Sequence, residues 1–89
     1  MKAIITVLGC DKVGIIANVT TLLAENDVNI LDITQTTMQD IFTMIMLADI
    51  SENKLKFTHL VDKLGSLGKK LGVEIRAQHE DIFNSMHEI

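Results

Sequence analysis

Two short runs in this 89-residue chain, KAIITVL at residues 2–8 and IFTMIMLADI at residues 41–50, are apolar on both of their alternating faces. Successive side chains of a strand point to opposite sides of a sheet, so a strand with two apolar faces needs cover on both. Both runs therefore belong in the middle of a sheet. In the second run Phe42, Met44, Met46 and Ala48 form one face, and Ile41, Ile45 and Leu47 the other.

The remaining segments supply the partners of these two strands. From Val13 to Ala24, Ile15 or Ile16, Val19, Leu22 and Leu23 recur at spacings of three and four, which predicts a helix with one apolar stripe. Asp11 stands before it as an N-cap, and the cluster Glu25-Asn26-Asp27 ends it. Val28 to Met38 reads as a second strand, joined to the third by a tight hairpin at Gln39-Asp40. After a polar linker at 51–56, Leu60, Val61, Leu64, Leu67 and Leu71 repeat with helical period from Phe57, and Gly72 is the stop. Gly65 and Gly68 fall inside this helix, where close approach to the sheet or to another subunit would explain them. Val73 to His79 alternates cleanly and has the one wet face of an edge strand. Ile82, Phe83 and Met86 predict a short amphipathic C-terminal helix that would cap an open surface.

The order βαββαβ defines an α+β, ferredoxin-like fold: a four-stranded antiparallel sheet with two helices on one face. Right-handed crossovers put strands one and three at its centre, as their two-faced apolarity requires. Two helices cover one face only. Either Ile5 and Val7 or Ile4 and Leu8, together with Ile45 and Leu47, must find cover on the other. With 47% hydrophobic residues in a single domain spanning residues 1–89, the expected answer is self-association, a dimer in the simplest case.

Charge and composition exclude several partners. Eight Lys and Arg against twelve Asp and Glu give a formal net charge of −4, which repels a phosphate backbone, so no nucleic-acid partner is expected. No run reaches the roughly 18 to 20 apolar residues of a membrane helix. The opening Met1-Lys2-Ala3-Ile4-Ile5 meets Gly9 and Asp11 too soon for a signal peptide, and a lone cysteine, Cys10, fits a reducing compartment. The expectation is a cytoplasmic protein without membrane contact.

No constellation of catalytic residues converges. Cys10 has Asp11 and Lys12 beside it at a helix start, but none of His59, His79 and His87 pairs with it locally. His79, Glu80, Asp81, His87 and Glu88 match no metal-ligand spacing, so neither metal nor cofactor is expected. The loop GCDKVGI at residues 9–15 has more to offer. Gly9 and Gly14 lend it flexibility, and a helix start presents unpaired N–H groups suited to a carboxylate. Asp11 could take an ammonium group. Asn29, at the start of strand two of the same or a partner subunit, adds a donor and an acceptor. Together these describe an amino-acid site; a plain strand-to-helix turn capped by Asp11 is the equally simple alternative.

The segment GCDKVGIIANVTTLLAENDVNILDITQT resembles the ACT domain, a small regulatory ligand-binding module, through its D-x-x-G-I loop (Asp11, Gly14, Ile15) and the pair Asn29-Ile30. The resemblance spans nearly the whole chain and is nearest to free-standing ACT proteins, with the glycine-cleavage repressor type next. The family often has proline before the loop glycine, where this chain has Val13. What it implies is a non-enzymatic regulatory domain binding a small molecule, most simply an amino acid. The ligand would lie between Gly9, Cys10, Asp11, Lys12, Val13, Gly14 and Ile15 of one subunit and Asn29 and Ile30 of the same or a neighbouring one. The alternative is a protein-interaction subunit that keeps the fold without the ligand, docking on a separate protein.

Overall fold

The computed structural model describes residues 2–10, 13–50 and 57–80, Val13 by its backbone alone. Six elements follow one another: β1 (Lys2–Gly9), α1 (Val13–Glu25), β2 (Asn29–Met38), β3 (Ile41–Asp49), α2 (Phe57–Leu71) and β4 (Glu74–His79). Three expected features, the Asp11 cap, the linker 51–56 and the C-terminal helix within 81–89, lie outside the described residues.

All four strands form one antiparallel sheet in the order β2-β3-β1-β4, with β1 and β3 at the centre as their sequences require. The β1/β3 register sets Ala3 against Ala48, Ile5 against Met46 and Val7 against Met44. These residues are buried with Phe42 beneath Ile15, Val19 and Leu23 of α1 and Leu60 and Leu64 of α2. Ile4, Thr6 and Leu8 therefore point to the other side, in register with Leu47, Ile45 and Thr43. Leu8 and Ile45 are each 40% exposed there, and no described element covers them.

The helices do not reach across the whole sheet. Ile33 of β2 pairs with Met46, on the helix side, yet is 40% exposed, and the rest of β2 is exposed save a half-buried Ile30. β2 is thus an edge strand bare on both faces. Its register shifts between Ile30 and Asp32, where the Asp32 carboxylate accepts a hydrogen bond from the Ile33 N–H at 2.9 Å.

Both helices end in the same way. Val73 N–H donates to the Gly68 carbonyl at 2.9 Å across Gly72, whose φ is +74°. Val28 N–H donates to the Leu23 carbonyl at 2.9 Å across Asp27, whose φ is 59°. These are Schellman stops, which satisfy late carbonyls by a six-to-one bond over a left-handed residue. The α1 stop also closes an apolar contact, since Leu23 and Val28 are both buried.

The two glycines inside α2 have different explanations. A Cβ on Gly68 would lie 2.8 Å from the Val73 carbonyl oxygen, so the close approach expected there is real. A Cβ on Gly65 would meet no atom of the described residues within 4 Å. Gly65→Ala should therefore stabilise the domain by up to ~1 kcal/mol, the difference in helix propensity. A thermal melt checks this; a lower melting temperature would show that the site is not open.

Candidate functional site

At the end of the sheet where β1 finishes, Gly9 pairs with Phe42 on one side, and Leu8 pairs with Glu74 on the other. The chain leaves β1 through exposed Cys10 and enters α1 at Val13. Gly9 and Gly14 both have ordinary negative φ, so flexibility is not what the glycines provide. At Gly9 the reason is space: an added Cβ would lie 2.4 Å from Val73 Cγ1 and 3.0 Å from Ile15 Cδ1. At Gly14 the nearest atom of the described residues to an added Cβ is Asn18 Nδ2 at 4.0 Å, and the residue is exposed.

The first turn of a helix has N–H groups without intrahelical partners, so α1 offers donors from Val13 onward next to an open Gly14. Among the described residues no acidic side chain lies in that turn. Ile15 is 3% exposed and is committed to the core. Asn18, which belongs to none of the expected site residues, donates through Nδ2 to the Gly14 carbonyl at 2.7 Å. An amide one turn beyond a loop glycine was visible in the sequence. Its signal was only the i, i+4 spacing, shared by many helical pairs.

Of the two placements expected for Asn29 and Ile30, in the same or in a neighbouring subunit, the register removes the first. Asn29 pairs with Asp49, and Asp49 pairs with Lys2, at the opposite end of β1 from Gly9. Seven strand residues at about 3.3 Å each put roughly 23 Å between the two ends. Within one subunit the loop and Asn29 do not meet. The physical reason is that α1 carries the chain back along the sheet before β2 begins.

A groove of about 560 Å³ lies between the helices, with Leu22 and Leu67 on its floor and Glu25, Asp62, Lys63 and Lys70 around it. It lies toward the far end of α1 from the loop. A recess of about 290 Å³ beside Thr6, Leu8, Glu74 and Arg76 opens on the uncovered sheet face. Neither joins helix-start donors to an open backbone. Among the described residues no three potential metal ligands cluster. Cys10 is a free, exposed thiol. No described helix is long and apolar enough to cross a membrane.

The model of the ACT domain matches residues 2–78. The chain belongs to the ACT domain family. A UPF0237 protein of Clostridium acetobutylicum is 58% identical to it over the full length of both chains. The solved structure of an ACT domain protein from Streptococcus pneumoniae is 44% identical, covers 93% of each chain and superposes with a TM-score of 0.82. The crystal structure of a putative glycine cleavage system transcriptional repressor is 17% identical over 86% of this chain and 45% of its own, with a TM-score of 0.77. That last likeness is one of fold. The βαββαβ architecture expected from the sequence is thus the ACT fold, and it places the β1–α1 loop at the sheet end described above.

Proposed function

We propose that this ACT domain is a non-enzymatic regulatory module that binds a small amino acid between two subunits and transmits the event through assembly or a partner protein. The observation that carries the proposal is the register. The loop and Asn29 lie at opposite ends of the sheet, and β2 is an unpaired edge, 10 residues long. Such an edge has free N–H and C=O groups, and its usual protections are lysine, proline or a bulge. β2 has neither lysine nor proline, and its irregularity is confined to Ile30–Asp32.

A second β2, antiparallel and centred on Ile33, would complete the edge and set Ile33 against its symmetry mate. It would also set Asn29 of one subunit opposite Thr37 of the other. That is the end of the sheet where the β1–α1 loop lies. Three strand spacings of about 4.8 Å then separate β1 from the neighbouring β2, roughly 14 Å, a gap a small ligand and the side chains around it could bridge. The helix-start donors would take the carboxylate, Asp11 the ammonium, and Asn29 and Ile30 of the second subunit the remainder. Because both subunits contribute, a ligand would favour the paired state by its difference in affinity for the two states.

The test is a thermal-shift screen of the purified protein against the twenty amino acids. Each tenfold rise in a true ligand well above its dissociation constant should add about 1.4 kcal/mol of stability. Gly14→Val should abolish that shift while leaving the apo melting point and particle size in place, because the residue's surroundings are open. Binding unchanged in Gly14→Val would remove the loop from the site. Silence across the whole set, with assembly intact, would overturn the ligand proposal in favour of a fold kept for contact with another protein.

A further inference from the structure

The sheet face opposite the helices carries Ile4, Thr6 and Leu8 of β1 and Ile41, Ile45 and Leu47 of β3. Ile41 is 52% exposed and Leu8 and Ile45 are each 40% exposed, so the apolar surface is contiguous across the two central strands. Charged groups stay toward the margins. Glu74 and Arg76 on β4 are already paired to each other at 2.6 Å, Asp32 lies on β2, and Lys2 and Asp49 face each other at one strand end. Such a margin has little net charge with which to recruit an acidic partner, a basic one or a lipid surface.

We infer that this face is the stacking surface for a second copy of the same sheet, and that stacking joins two β2-paired dimers into a four-chain sandwich. This inference rests on the β2 pairing proposed above. Two arguments select the occupant. First, a sheet face of isoleucines and leucines around one threonine is complementary to another such face, packed at about 10 Å. Second, the area discriminates between stacking of single subunits and of dimers. Four strands about 4.8 Å apart and eight residues long present roughly 500 Å². Two single faces would bury about 1,000 Å² in all, the threshold for a specific interface. Two β2-paired sheets would bury about 2,000 Å², which is ample. Stacking therefore follows edge pairing.

Light scattering coupled to size exclusion over a dilution series tests this with the full chain. The wild type is expected at four chain masses. Ile45→Lys and Thr6→Lys, each at an outward position of a central strand, are expected at two. Thr58→Lys on the exposed side of α2 should remain at four, with circular dichroism reporting the fold of every variant. A wild type that never exceeds two chains, or lysine variants that remain at four, would overturn the stacking. Failure of the edge pairing reads differently. In an antiparallel edge strand neighbouring residues alternate in pointing N–H outward, so one of Thr34→Pro and Gln35→Pro should retain the fold. That variant should fall to a single chain if pairing precedes stacking; if it keeps the wild-type mass, the β2 pairing is wrong.

Discussion

Replacing Phe42 by alanine should lower stability by about 3–5 kcal/mol, the range for emptying an aromatic site in a packed core. Phe42 is 1% exposed, the largest of the fully buried side chains, and lies at the start of β3 directly across from Gly9. A glycine removes side-chain volume from its own position, so on the β1 side the neighbouring ring has no cross-strand side chain to share the load, and on the other side it has only the exposed Thr37. Its loss leaves the inner face of the loop end without a floor. For a domain of this size each kcal/mol moves the melting point by roughly 4–8 °C, so the variant should melt at least ~12 °C lower. Ile41→Ala, one residue earlier and 52% exposed, should change monomer stability by no more than ~0.5 kcal/mol. Urea titration of both variants measures the contrast. A loss below ~1 kcal/mol at Phe42 would mean that the loop end collapses into the space.

The second large effect is expected from the smallest possible change. Gly9→Ala adds one methyl where Val73 Cγ1 would lie at 2.4 Å and Val73 Cβ at 3.1 Å. The third crowding atom, Ile15 Cδ1 at 3.0 Å, is the far end of a longer side chain and can shift, but the Val73 atoms belong to a short, stiff one, so relief requires the 72–73 turn to move as a whole. Overpacking of this kind destabilises by about 1–3 kcal/mol. The diagnosis is specific enough for a double-mutant cycle. Val73→Ala alone loses some packing, yet combined with Gly9→Ala it should recover part of the loss, because the methyl then occupies space that Val73 vacates. Strict additivity would show that Gly9 matters for another reason, such as direct contact with ligand. The variant is accordingly a poor probe of binding, and Gly14 a better one.

Much of the fold was legible because burial on two faces is written directly into β1 and β3. The hairpin at Gln39-Asp40 and the stop at Gly72 were legible for similarly local reasons. Other features depend on contacts between distant parts of the chain. Gly9 and Val73 are 64 positions apart, and no periodicity relates them. The exposure of β2 escaped notice because alternation tells which way Ile33 points, not how far two helices extend over a sheet. Asn29 is a different case. Its separation from the loop follows from the order of elements alone, since a helix returning along a sheet begins the next strand at the other end. The motif residues carry no such information, and that step removes the same-subunit placement and leaves the neighbouring-subunit one.

The strand order has a consequence in time as well as in space. β1 is the first strand synthesised, yet it sits between β3 and β4, and its pairing with β4 must wait for residues 74–79. Contacts spanning most of a chain close slowly, because a long loop must be ordered before they are rewarded. A nascent chain that has made β1, α1, β2 and β3 therefore holds a sheet open at both sides: at β2, and at the apolar run AIITVL. Open apolar edges are the surfaces on which incomplete chains aggregate. For this domain, synthesis of the last strand ends the hazard at one edge, and under the proposed β2 pairing an encounter with another folded chain ends it at the other.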